Sequence, residues 1–195
     1  MALTRMRARL TVVRWLLVVI ALAITAHADT VVVDEGFEEL NLGKHLDLAY
    51  DPSGDATIDD VLAGKLQFAP STKDVPNFGY RGGSEWAHLR IRDGRALADS
   101  LVLEHGYAIT DTLELFEVEG GRVLRHGRTG DHVLLGEWDM LWRFPAFKLA
   151  ARADHDLYLR LESEASHQLP FTLYARDPDG NRFGVSSFPA ALFER

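Results

Sequence analysis

The sequence predicts an all-β fold: a two-sheet antiparallel sandwich with one short helix. Three observations carry that expectation. Apolar and polar residues alternate with period 2 over many short runs, the mark of half-buried strands. No long segment shows the 3.6-residue period of an amphipathic helix. Turn residues punctuate the chain at the spacing expected of short strands, and no crossover helices separate them as a parallel α/β sheet would require.

Taken in order, Val31 to Val33 reads as an edge strand, and His45 to Tyr50 alternates as a second. Phe37 to Gly43 carries no readable period. Asp51-Pro52-Ser53-Gly54 is a turn. Thr57 followed by Ile58-Asp59-Asp60 has the form of a helix start, with Thr57 as N-cap and acids in the first turn. Gly64 ends that helix after about two turns. Leu66 to Phe68 and the aromatic-glycine turn Asn77-Phe78-Gly79-Tyr80 lead through Gly82-Gly83 into the central strand, Trp86 to Ile91. There Ala87, Leu89 and Ile91 face a core, while Trp86, His88 and Arg90 point the other way. Further strands are expected at Ser100 to His105 and at Thr112 to Glu119, where Leu113 and Leu115 oppose Phe116 and Val118. A hairpin turn at Glu119-Gly120-Gly121-Arg122 leads into Val123 and Leu124. His132 to Leu135, Arg143 to Leu149, Leu157 to Leu161 and Leu169 to Tyr174 complete the set, and Asp177-Pro178-Asp179-Gly180 turns the chain again.

Residues 1–28 are read as a cleaved signal peptide and 29–195 as a single sandwich domain. Arg5, Arg7, Arg9 and Arg14 form a basic start, Trp15 to Ile24 is uninterruptedly apolar, and Ala26-His27-Ala28 supplies the small residues of a cleavage site. The apolar run is about half of what a bilayer span needs. Removing four arginines and no acid takes the net charge from −8 to −12. A chain so acidic repels nucleic acid and anionic membrane surfaces. The sequence has no cysteine, which excludes disulfides, thiol nucleophiles and thiolate metal sites. The expected location is the periplasm.

Trp86, His88 and Arg90, with the outward residues Tyr158 and Arg160 of the Leu157 strand and Thr172 and Tyr174 of the Leu169 strand, lie opposite the core rows. If these strands are neighbours in one sheet, the seven side chains share a face. Aromatic rings beside Arg, His and Thr donors suit a carbohydrate or another small polar ligand. The competing structural reading has Trp86 covered by a loop and the rest as an ordinary sheet face.

The order of motifs adds to this. LGKHLDLAYDPSGDATIDDVL at 42–62 precedes the PNFGY turn and the Trp86 strand; WRFPAFKL at 142–149, DLYLRLES at 156–163 and QLPFTLY at 168–174 follow. This succession resembles the type-2 extracellular sensor domain of bacterial seven-transmembrane receptors with diverse intracellular signalling modules. The resemblance implies a jelly-roll sandwich similar to carbohydrate-binding modules, a sugar-like ligand and a membrane signalling partner. The family pattern carries Arg two residues after the Trp, where His88 stands here. The family's domain leads into a helical bundle, and the sequence ends at Arg195, so the chain is read as a free-standing form or as the front end of a receptor.

Catalytic signatures are absent. No paired HxH or HExxH, no GxSxG elbow, no P-loop and no GxGxxG occurs. Asp177, Asp179 and Asn181 have the odd spacing of a calcium loop, but Arg182 and Phe188 stand where a calcium-binding hairpin needs Gly and an acid. A tight turn is the preferred reading, with a structural calcium as the lesser one; no other cofactor is expected. The expected function is therefore a non-enzymatic periplasmic sensor or binding domain. The alternatives are a protein–protein interaction module of the cell envelope and, ranked last, a hydrolase on the same scaffold.

Overall fold

A computed structural model of the chain describes residues 29–95, 101–150 and 153–175. The expected leader, residues 1–28, and Asp177, Asp179 and Asn181, for which a tight turn or a calcium site is expected, lie outside the described residues. Eleven strands are described: β1 (Val31–Val33), β2 (Glu39–Asn41), β3 (Asp47–Asp51), β4 (Ala69–Pro70), β5 (Ser84–Asp93), β6 (Leu101–His105), β7 (Thr112–Glu119), β8 (Arg122–Thr129), β9 (Ala146–Lys148), β10 (Asp154–Glu162) and β11 (Phe171–Ala175). One α-helix, α1 (Ile58–Leu62), lies between β3 and β4. No helix among the described residues is long and apolar enough to cross a membrane.

The strands form two sheets. One runs β4-β3-β5-β10-β7-β8, and β1 joins β5 beyond the end of β3; the other runs β2-β11-β6-β9. All pairings are antiparallel except β1 with β5. The Trp86 strand is central, flanked by β10 along its length and by β3 and β1 on the other side. The core fills the space between the sheets. Ala87, Leu89, Ile91, Leu113, Leu115, Leu157, Leu159 and Leu161 come from the larger sheet and meet Leu101, Leu103, Phe147, Leu149, Phe171 and Leu173 from the smaller. The two-sheet sandwich read from the alternations is the fold.

Several local expectations change. His132 to Leu135 is not a strand: the chain turns there and enters a short 3-10 helix at Leu135–Glu137. His45 closes a 3-10 turn, and the strand expected from it begins at Asp47. The unread stretch 37–43 contains β2, too short to show a period. The hairpin at Gly120 and Gly121 holds both glycines at positive φ, 57° and 76°, as a turn matched to strand twist requires.

Helix α1 starts as its sequence dictates. The Thr57 hydroxyl accepts the Asp60 N–H at 3.3 Å, and the Asp60 carboxylate accepts the Thr57 N–H at 3.0 Å. This capping box satisfies donors that the first turn leaves orphaned. Lys65 pairs with Asp60 at 2.6 Å and, with Thr57, holds its carboxyl well below the usual range. Thr57→Ala is expected to lower stability by about 1 kcal/mol, read as a shift in the urea midpoint with an unchanged slope.

Candidate functional site

The outer face of the larger sheet carries two cross-strand rows. Register places Asp47, His88, Tyr158, Phe116 and His126 side by side across β3, β5, β10, β7 and β8. Two residues along the strands, Ala49, Trp86, Arg160, Glu114 and Arg128 form a second row. Of the seven residues expected on one ligand face, the structure brings together Trp86, His88, Arg90, Tyr158 and Arg160. It does not bring Thr172 and Tyr174. These belong to β11 in the other sheet, where Tyr174 packs with Val102, Ala146, Met140 and Trp142 on the opposite side of the sandwich. Burial and the nearby Glu104 raise the Tyr174 phenol above its usual pKa.

The shared face is also not open. Ile58, Val61 and Leu62 of α1, with Leu66 and Phe68, lie across it and make a second small core with Ala49, Trp86, Phe116 and Val118. Trp86 is 0% exposed and stacks on Phe116 at 5.9 Å, which in turn stacks on His126 at 4.5 Å. The expectation of an exposed Trp86 is thereby corrected: the covering residues are those of the capped helix and the segment after it. His88 is nearly buried. Its Nε2 lies 2.5 Å from Asp156 and its Nδ1 3.5 Å from Asp47, and its ring stacks on Tyr158 at 4.6 Å under the edge of Phe68. Burial works to raise the Asp156 carboxyl, but the His88 hydrogen bond and the charges of His88 and Arg90 outweigh it and hold it below the carboxylate range. Burial, aided by Asp156, pushes the Tyr158 phenol up. Arg90 remains half exposed, 3.8 Å from Asp156.

The charged row leads to an open cleft of about 690 Å³ at one end of the sheet. Arg160, on β10, is the one expected site residue that lines it. Its guanidinium donates to Glu114 at 2.9 Å, to Glu162 at 2.9 Å and to the Gly54 carbonyl at 2.6 Å. Arg128 from β8 approaches the same Glu114 at 3.8 Å and Glu137 at 3.4 Å. One wall is the turn Tyr80-Arg81-Gly82-Gly83; the other is built from Asp111, Thr112, His132, Ser163 and Glu164. Gly83 makes the first wall possible. It holds φ 80°, and a Cβ there would sit 2.2 Å from the Asp51 carbonyl. Tyr50 hydroxyl donates to the Gly82 carbonyl at 2.8 Å, and Arg81 lies over the Tyr50 ring at 3.8 Å and the Phe78 ring at 4.3 Å. Tyr80 stands 80% exposed at the rim.

The lining holds three arginines and one histidine against four carboxylates. Each guanidinium has a carboxylate partner: Arg81 with Glu85, Arg128 with Glu114 and Glu137, Arg160 with Glu114 and Glu162. Such a cleft presents many donors and acceptors but no excess cation to trap an anion. It suits an uncharged polyhydroxylated molecule with an apolar face for Tyr80. Asp111, Asp131 and His132 could together hold a metal ion, their ligand atoms lying within 4.8 Å of one another. The Asp111 oxygens already accept from the Ser163 hydroxyl at 3.1 Å and the Glu164 N–H at 2.7 Å.

Apart from Arg160, the lining residues were not singled out from sequence. The signal for one wall was present, since the aromatic-glycine turn runs straight into the central strand. The other wall comes from segments around residues 111, 132 and 163, which only the fold brings together.

The model of a protein family described as 7TMR-DISM extracellular 2 matches residues 43–175. That span runs from the 3-10 turn before β3 to the end of β11 and so includes every residue that lines the cleft. No curated protein matches the chain.

Proposed function

Because the chain belongs to the 7TMR-DISM extracellular 2 family, an extracellular sensor domain of receptors, we propose that it binds a small uncharged polyol of carbohydrate type in the cleft beside Tyr80. The observation that carries this reading is the conjunction of an exposed aromatic rim with a charge-balanced polar lining. A sugar ring would lay its C–H face on Tyr80 and exchange hydrogen bonds with Thr112, Glu162 and Arg160. The domain works without turning its ligand over; binding itself is the event that a signalling partner reads. In this reading the leader is removed after Ala28, and the mature domain faces the periplasm.

Isothermal titration with a panel of neutral and acidic oligosaccharides tests it. Neutral sugars are expected to bind, and Tyr80→Ala to weaken the best of them at least about tenfold, roughly 1.4 kcal/mol, while the melting temperature stays near wild type. Equal binding by Tyr80→Ala, or a preference confined to acidic sugars, would overturn the reading. The remaining alternative is a docking surface, favoured by the exposed Leu134, Leu135 and Leu141 on the segment beside β8.

A further inference from the structure

Two turns meet in one wall of the cleft. One carries Asp111, just before β7; the other carries Asp131 and His132, just after β8. The backbone ties them together: Asp131 N–H donates to the Thr110 carbonyl at 2.9 Å, and His132 N–H to the Asp111 carbonyl at 2.9 Å. Gly130 permits the approach. It holds φ 125°, and a Cβ there would sit 2.4 Å from the Asp111 carbonyl oxygen. One ligand atom from each of Asp111, Asp131 and His132 thereby lies within 4.8 Å of the other two, with His132 Nδ1 3.8 Å from Asp111 Oδ2. Asp111 and His132 both line the cleft.

The charges of the cleft are shared out unevenly. Arg81 is claimed by Glu85, Arg128 by Glu114 and Glu137, and Arg160 by Glu114 and Glu162. Among the described residues, no Arg or Lys nitrogen lies within 4.0 Å of an Asp111 or Asp131 carboxylate oxygen. Two neighbouring carboxylates thus share one imidazole and lack a cation, and an ion between them would relieve their repulsion. The Ser163 hydroxyl at 3.1 Å and the Glu164 N–H at 2.7 Å aim the Asp111 carboxylate, as metal-ligating carboxylates are aimed, and each oxygen keeps a second acceptor site. The donor set selects the ion. Two carboxylate oxygens and an imidazole nitrogen suit zinc and its neighbours, whereas calcium wants six or more oxygens. Ligand atoms around tetrahedral zinc lie about 3.3 Å apart. The site closes to that spacing by rotation of the exposed Asp131 and His132 side chains around the better seated Asp111.

We propose that Asp111, Asp131 and His132 bind one divalent ion of the zinc class in the wall of the cleft. The two carboxylates balance its charge. Three protein ligands leave a fourth position open, and the cleft gives access to it. The ion fastens the turn before β7 to the turn after β8. This goes beyond the reading of the cleft as a polyol site and does not rest on it.

Isothermal titration of zinc chloride into the intact, chelator-treated protein tests it. One ion per chain is expected, with a matching rise in melting temperature. Asp131→Asn and His132→Ala are each expected to weaken zinc by more than the roughly tenfold that losing even an outer-shell partner costs. Both side chains are exposed, so the melting temperature of the metal-free variants should stay at the wild-type value. His126→Ala removes an exposed imidazole on β8 outside the three-residue set and should leave zinc affinity unchanged. Absence of zinc binding, an affinity unmoved by Asp131→Asn or His132→Ala, a loss as large in His126→Ala, or calcium bound in preference to zinc would each overturn the proposal. Zinc held as expected by a protein that binds no sugar would sink only the polyol reading.

Discussion

Trp86→Ala is expected to lower the unfolding free energy by about 3–5 kcal/mol. The side chain is wholly enclosed, one face against Phe116 and the rest within a cluster that includes Ala49, Val61 and Val118. Truncation would leave a cavity under α1, and a five-residue helix has no means of collapsing into it without losing its seat. The loss should appear as a lower urea midpoint with an unchanged slope. A second variant separates size from polarity. The indole Nε1 is buried with no hydrogen-bond partner among the described residues. Trp86→Phe deletes that orphan N–H and keeps an aromatic ring against Phe116, so it should cost far less than alanine. A Trp86→Ala protein as stable as wild type would mean that the ring is not enclosed.

Acid is the second large effect, and His105 is its main source. The imidazole ends β6 in full burial, tilted against Phe171 at 4.9 Å, with Nε2 donating to the Gln168 carbonyl at 2.8 Å. Burial disfavours the charged ring and, against the pull of its backbone partners, pushes the pKa down from 6.5 to about 4. The folded state therefore keeps the ring neutral where the unfolded chain already takes up a proton. Stability is complete above about pH 6.5 and is lost as pH falls from there to about 4. At about 1.4 kcal/mol per pKa unit, the loss approaches 3 kcal/mol. The carboxyls of Asp51, Asp93 and Asp156, all lowered, add their own loss only at more acid pH, below the ordinary carboxylate value. His105→Gln keeps a donor for Gln168 and cannot titrate. Its stability should be nearly flat between pH 6.5 and 4, and a wild-type slope persisting in it would assign the effect elsewhere.

The sandwich was legible because period 2 is a local property. Trp86 to Ile91 shows its two faces within six residues, and the same holds for Leu157 to Leu161. The capping box was legible for the same reason, since Thr57 and Asp60 lie three residues apart. Whether the second face of a strand meets water is not local. The residues that cover Trp86 lie between 58 and 68, and nothing in the alternation of β5 announces them. Sheet membership was equally hidden. Tyr158 and Tyr174 sit in strands with the same pattern, and only the pairing of β10 with β5 and of β11 with β6 sends them to opposite sides. His132 to Leu135 failed differently. Its Val and Leu residues have strand propensity, but Gly130 at φ 125° and the bond from Val133 N–H to the Gly130 carbonyl bend the chain out of any sheet.

The pairing of β2 with β11 bears on how quickly the molecule can assemble. Asn41 meets Thr172 and Leu40 meets Leu173, partners from opposite ends of the described chain. With β6 on its other side, β11 is also the only sheet neighbour of β2 among the described residues. A nascent polypeptide that has emerged only as far as β10 lacks the strand with which β2 pairs, and His105 still lacks its Gln168 acceptor. Little of the smaller sheet can be stored early, and the entropy of closing so long a loop must be met before its contacts form. Refolding from denaturant should accordingly fall in the slow range of non-local β topologies, roughly milliseconds to seconds, and in a nascent chain the smaller sheet stays loose until β11 is free.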